Sequence, residues 1–204
     1  IKVYQQNNFD IFCATRDVDQ LNKKFLENKI ENTSVFKFNL LSDIHQILEK
    51  KIMPTTIMIC NGILQSESMS IDQKKNMFDT NFTNIVLLSE KLISYLNEKN
   101  CKTNFVIFSS VSGEFFRPKN LLYSISKKSL SNYFEYLPIC LKSKKITTSI
   151  ILIGQVKTKM TKDLVLNSLL VEDSKILAKK IFLTDKYKKK KYISLKWKIV
   201  IFLL

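Results

Sequence analysis

The sequence predicts an α/β fold, a doubly wound parallel sheet with helices packed on both faces. Short β-branched and aromatic runs alternate with longer segments of helical apolar spacing along the chain. Each run is continuously apolar, as strands covered on both sides are. The runs end at small polar residues or glycine, where a strand gives way to a loop. In such folds ligands lie at the carboxyl ends of the strands. The 204 residues, 45% of them hydrophobic, suit one domain with a full core. No repeat, low-complexity segment or linker divides them, so a single domain over 1–204 is expected.

The elements follow in order. Residues 1–8 look like the second half of a helix, and 9–14 (FDIFCA) read as a strand. Asp17 caps a helix to about Lys29, with Val18, Leu21, Phe25 and Leu26 on one side. Ser34 to Asn39 forms a second strand, Ser42 to Lys51 a helix, and Thr55 to Cys60 a third strand that stops at Asn61-Gly62. A long helix spans about Ile71 to Asn97. Asn104 to Phe108 is a buried strand, and Ser109, Ser110, Ser112 and Gly113 form the loop after it. Pro118 and Asn120 punctuate that loop, and a helix begins at Leu121. Ile146 to Ile153 is a long strand ending at Gly154. Residues 160–170 are ambiguous, 172–183 helical, and 191–195 a last strand.

Composition narrows the function. The net charge is +15, but Arg16 and Arg117 are the only arginines. Lysine lacks the fork that grips phosphates and guanine edges, so the charge reads as a solvated lysine surface and no nucleic-acid partner is expected. Cys13, Cys60, Cys101 and Cys140 are scattered without a C-x-x-C pair, which points to a reducing cytoplasm. The sole histidine, His45, falls on the expected exposed side of a short helix. Its solitude removes Ser-His-Asp, Cys-His and His-rich zinc chemistry, and no metal site is expected. No secretory or transit pattern opens the chain, and its first residue is not methionine, so a missing start is expected.

The stretch 104–130, NFVIFSSVSGEFFRPKNLLYSISKKSL, carries the chemistry. Tyr123 and Lys127 lie four apart on a helix and share a face. A hydroxyl at a strand's carboxyl end, facing a phenol backed by an ammonium, can transfer a proton to a carbonyl oxygen. The ammonium is expected to lower the phenol's pKa from its usual ~10. Asn81 lies mid-helix on a stripe with Met77, Ile85 and Leu88, where an amide is costly unless bonded. A local pair with Asn84 is the alternative to a role in a site.

Ser110 thirteen residues before Tyr-x-x-x-Lys, with the SSVSG lead-in, resembles the signature of the classical short-chain dehydrogenase/reductase family. The resemblance implies a Rossmann-type NAD(P)-binding fold and hydride transfer between a ketone and a secondary alcohol. Ser110 would hydrogen-bond the carbonyl oxygen, Tyr123 would donate the proton, and Lys127 would hold the nicotinamide ribose. Asn81 would complete the set by holding the helix backbone and a water leading to the lysine. The resemblance also assigns cofactor contacts to Arg16, Asn39, Leu40, Asn61, Gly62, Tyr123, Lys127, Gly154, Val156 and Thr158. Arg16 stands where an acidic residue would meet the ribose of NAD, and an arginine there suits the 2′-phosphate of NADP. NADP is therefore the expected cofactor, with NAD the alternative. Asn39 replaces the aspartate that often contacts the adenine, and its amide oxygen can still accept. Cys60-Asn61-Gly62 takes the place of Asn-Ala-Gly. IGQVKTKM (153–160) resembles the segment that covers the nicotinamide, with Thr158 meeting its carboxamide.

The family's Thr-Gly-x-x-x-Gly-x-Gly turn is absent from the sequence, whose only glycines are Gly62, Gly113 and Gly154. The sheet is therefore expected to lack its first, central strand. Strands 9–14 and 55–60 would lose their shared partner, and the pyrophosphate its helix N-terminus. These residues alone are expected to bind dinucleotide poorly and to be inactive. The end of the chain is expected to be cut too.

GEFFRPKN and GIL-Gln at 62–65 resemble the decaprenylphosphoryl-ribose 2-keto reductases, which implies a sugar or lipid-linked sugar ketone. The tail 186–204 joins a lysine block to an apolar end, suited to the surface of an anionic membrane. A solvated turn before a buried C-terminal segment is the alternative. The resemblance implies a homo-oligomer. Two rival functions stand beside the oxidoreductase. One is a catalytically inactive remnant or binding module, supported by the missing glycine turn. The other is a basic peripheral membrane-binding protein, supported by charge.

Overall fold

The computed structural model describes residues 1–31, 33–39, 43–66, 68–116, 118–141, 144–162, 164–184 and 190–203, without the side chains of 44–46, 159 and 184. Leu40 and the side chain of His45 therefore lie outside the described residues, as do 186–189 of the tail. The chain divides into two compact units, Ile1–Ile52 and Met53–Leu204.

The first unit holds α1 (Lys2–Gln5), β1 (Ile11–Thr15), α2 (Val18–Glu27), β2 (Thr33–Lys37) and α3 (Ile44–Glu49). β1 and β2 are parallel, in register from Ile11 opposite Thr33 to Thr15 opposite Lys37. Asp17 caps α2, its Oδ1 accepting from the Gln20 N–H at 2.8 Å. Phe25 is buried, but Leu26, expected on the same side, is 81% exposed. At 100° per residue the stripe through Val18, Leu21 and Phe25 turns Leu26 outward.

The second unit holds β3 (Thr56–Ile59), α4 (Ile71–Phe78), α5 (Asn84–Glu98), β4 (Thr103–Ser110), α6 (Leu121–Cys140), β5 (Ile146–Ile153), α7 (Ser174–Thr184), β6 (Lys190–Tyr192) and α8 (Leu195–Leu203). Its sheet runs β3-β4-β5-β6, parallel throughout. The fully buried Phe105 faces Phe134 of α6, with ring centroids 6.3 Å apart. Its neighbour Val106 points the other way, into a cluster with Ile151, Leu177 and Ile181 of α7. Helices thus cover both faces, as strands apolar on both sides require. β1 and β3 belong to different sheets.

Three expected elements are corrected. Ser109 and Ser110 are the last residues of β4, not its loop. The Ser109 hydroxyl donates to the Lys127 carbonyl at 3.0 Å and pairs with the Ser131 hydroxyl at 2.6 Å, so the polar end of the strand is satisfied by α6. The helix from Ile71 is interrupted by a π-helical turn, Asp79–Thr83. The stretch 160–170, ambiguous in the sequence, opens with the end of a short 3-10 turn, Lys159–Thr161. The last strand is Lys190–Tyr192, after which Leu195–Leu203 is helical.

The chain handles its helix ends without glycine. Asn8, Lys29, Lys51 and Asn100 follow α1, α2, α3 and α5 with φ of 59°, 52°, 51° and 59°, the left-handed region usually left to glycine. No glycine has positive φ.

Candidate active site

β4 delivers Ser110 to the carboxyl end of the sheet, opposite Ile153 of β5. Its hydroxyl accepts from the Ser112 N–H at 3.1 Å, bending the chain into a 3-10 turn, Val111–Gly113. Gly113 sets that turn on the backbone of α6. A Cβ there would lie 2.9 Å from the Lys128 nitrogen, closer than any side chain could stand. The turn and helix so joined set the Ser110 hydroxyl beside the Tyr123 phenol, near enough to act on its titration.

Tyr123 is 9% exposed. Burial pushes its phenol above the ordinary value, and the Ser110 hydroxyl opposes that rise. The lowering expected from Lys127 is therefore overturned. Lys127 is itself buried, which brings its ammonium down to about 8, with Cys60 acting in the opposite direction. The Nζ donates to the Phe108 carbonyl at 3.1 Å and does not figure among the groups that move the phenol.

Asn81 is fully buried within the π-helical turn. Its Oδ1 accepts from the Ile63 N–H at 2.7 Å, and its Nδ2 donates to the Ile63 carbonyl at 2.8 Å. A longer contact of 3.4 Å reaches the Ser126 hydroxyl on α6. The backbone held is therefore that of the segment after β3, not of a helix. The local pair with Asn84 is not among Asn81's hydrogen bonds. Gly62 lies beside this clamp. A Cβ there would come 3.5 Å from Lys127 Nζ and 3.6 Å from Asn81 Oδ1, so the glycine keeps that corner free of a side chain. Asn61 is half-buried just before it.

Gly154 leaves β5 next to the Ser110 turn and lies under Trp197 of α8. A Cβ there would meet the indole nitrogen at 2.0 Å. Val156 is buried and bridges to Glu172. Thr158 is exposed, and its hydroxyl pairs with that of Thr161 at 3.3 Å. In the other unit Arg16 is exposed immediately after β1, and the Asn39 N–H donates to Asp43 Oδ2 at 2.7 Å. The second unit thus brings together Ser110, Tyr123, Lys127, Asn81 and Gly62. Sequence reasoning missed Gly113, the Phe108 carbonyl, the Ile63 backbone and Gln65, whose Oε1 accepts from the Tyr123 N–H at 3.1 Å. The SSVSG string was the available signal for Gly113. Backbone groups leave no such signal.

Residues 7–168 match the family model described as short chain dehydrogenase. Over 148 residues the chain is 30% identical to the 3-oxoacyl-[acyl-carrier-protein] reductase FabG of Buchnera aphidicola subsp. Schizaphis graminum, a match covering 67% of this chain and 60% of that relative. Among solved structures it resembles ElxO with NADP bound, at a TM-score of 0.79 and 15% identity, over 94% of this chain and 90% of that one. It also resembles the short-chain dehydrogenase from Sphingobium yanoikuyae in complex with NADPH, at 0.78 and 14%, over 98% and 85%. A third, 4-hydroxyisoleucine dehydrogenase complexed with NADH and succinate, matches at 0.64 and 18%, over 84% and 90%.

Proposed function

Because the chain belongs to the short-chain dehydrogenase family, we propose that it is an NADP-dependent oxidoreductase interconverting a ketone and a secondary alcohol, with Tyr123 as the proton donor. The observation that carries this reading is the buried phenol of Tyr123 beside the Ser110 hydroxyl at the carboxyl end of β4. The corner at Gly62 suits the nicotinamide ribose. It lacks a side chain, and the adjoining Lys127 amine spends one of its three N–H groups on Phe108. Bound NADPH supplies the hydride.

The chain's own residues handle the proton. Ser110 orients the carbonyl oxygen toward the phenol. The phenol, its pKa raised by burial, is protonated at neutral pH like any tyrosine, and it can donate when charge develops on that oxygen. Lys127, with a pKa of about 8, can return a proton near neutral pH, and Asn81 fixes the segment that carries Gly62. In the second unit Asn61, Gly154, Val156 and Thr158 are the residues for the nicotinamide end. In the first, Arg16 is the group for the 2′-phosphate and Asn39 for the adenine, with NAD the alternative cofactor. Replacing Tyr123 with Phe should leave the melting curve nearly unchanged and cut NADPH-linked ketone reduction about 10²–10⁴-fold. Turnover retained in that variant would refute the assignment.

A sugar or lipid-linked sugar ketone is the substrate favoured. Phe115 and Phe116 stand exposed just after the Ser110 turn, and Met160, Leu164 and Leu169 are exposed beyond β5. A contact with a membrane surface is supported by α8, which exposes Leu195, Ile199, Phe202 and Leu203 beside Lys196 and Lys198. Among the described residues no helix is long and apolar enough to cross a membrane. Exposed Leu87 on α5 and Tyr136 and Ile139 on α6 support a homo-oligomer.

A further inference from the structure

A helix begins with N–H groups that have no partner within it, and Tyr123 occupies the third position of α6, inside that first turn. The residue placed to cap it, Asn120, makes no capping bond. Its Oδ1 instead accepts from the Ser124 hydroxyl at 3.5 Å. The Tyr123 N–H is satisfied from 58 residues away, by the Gln65 side chain. Gln65 ends a short segment whose other end is also held, since Asn81 grips both backbone groups of Ile63. One stretch, residues 62–65, therefore borders the Lys127 amine through Gly62 and holds the start of the Tyr123 helix through Gln65.

We infer that Gln65 is a positioning residue: its side-chain amide caps α6 from outside the helix and holds Tyr123 at the depth where its phenol meets Ser110. The inference rests on the reading of Tyr123 as the proton donor, but its physical content is the placement of that side chain. Without the Gln65 acceptor, the first turn of α6 frays into water. Tyr123 then follows its backbone outward, and the phenol loses the burial that raises its pKa. The chain beyond Ser126 is held independently, by the Ser109 bonds to Lys127 and Ser131 and by the buried Phe134. Fraying therefore stops within the first turn.

Two variants of the full chain test this, with no substrate present. Gln65→Leu fills similar space but cannot accept. Gln65→Glu accepts, and places its charge where a helix N-terminus favours it. Amide exchange at Tyr123 and Phe134 is followed by NMR, and the Tyr123 phenol is titrated with ring-labelled tyrosine, assigned through Tyr123→Phe. In Gln65→Leu, Tyr123 amide exchange should quicken on the order of fivefold, the loss typical of a cap. The phenol's pKa should fall toward its ordinary value while Phe134 exchange stays as slow as before. Gln65→Glu should keep the Tyr123 amide protected and the phenol raised. Unchanged Tyr123 exchange and titration in Gln65→Leu would overturn the inference. So would equal acceleration of Tyr123 and Phe134 in both variants, which would make Gln65 a packing residue only. Neither result depends on turnover, so the inference can fail while the proposed chemistry stands, and the reverse.

Discussion

Lys127 has its amine where water scarcely reaches, and burial holds its pKa to about 8 against an unfolded value near 10.4. Between those two values the unfolded chain binds the proton that the folded chain has released, so stability rises with pH across that window. The Tyr123 phenol works the other way. Its folded pKa is raised, so it withdraws stability above pH ~10, when the unfolded phenol ionises first. Urea unfolding at pH 7.5 and 9.5 should show the wild type gaining on the order of 2 kcal/mol relative to Lys127→Met. An identical pH dependence in the two proteins would show that the amine is solvated. Arg16 has a different test, because it is exposed and its value lies in the charge it offers a ligand. Arg16→Ala should weaken NADPH binding by about tenfold or more and spare NADH, as measured by titration of nicotinamide fluorescence.

At the scale of elements, α6 and the turn after β4 form one device whose tolerance is set by Gly113. An alanine there would push its methyl against the backbone of α6 at 127–128, and backbone cannot swing aside. The turn would have to lift, carrying Ser110 away from Tyr123. Gly113→Ala should cost about 1–3 kcal/mol in chemical unfolding, the usual range for overpacking, and weaken turnover in step. The elements also show why some of the fold was legible and some was not. β5 runs from Ile146 to Ile153 as expected, because an eight-residue β-branched run leaves little choice. β4 was cut two residues short because Ser109 and Ser110 look like loop residues until α6 supplies their partners. The π-helical turn at Asn81 has no sequence marker, and what demands it is the bond to Ile63 across the fold. α8 was unreadable for another reason. An apolar run such as KIVIFLL fits a buried strand and a helix equally well by periodicity.

The whole molecule carries +15, nearly all of it from lysine. That charge is too poor in guanidinium to read bases, but it is well suited to a diffuse attraction toward an anionic surface. The apolar side chains exposed on α8 would give such an attraction a foothold. Flotation with vesicles rich in phosphatidylserine should carry the protein at low salt and release it at high salt. It should fail after Phe202→Ser with Leu203→Ser, and binding that ignores both salt and these changes would exclude this mode. The proposed proton donor and its neighbours were legible through the family resemblance of Ser110, the SSVSG lead-in and Tyr-x-x-x-Lys, which the helical spacing of Tyr123 and Lys127 alone would not have carried. Asn81 was found as well, but the backbone it grips, at Ile63, and the role of Gln65 were not, because both bonds reach main-chain groups far away in sequence.

Trp197, the chain's single tryptophan, rests its ring on Gly154 and donates its N–H to the Leu170 carbonyl at 3.0 Å. The indole therefore touches both ends of the stretch that leaves β5 and returns toward α7. Any movement of that stretch must change the polarity around one lone fluorophore. The protein thus contains its own optical gauge, whose emission colour would follow the loop without a dye, a label or an engineered probe.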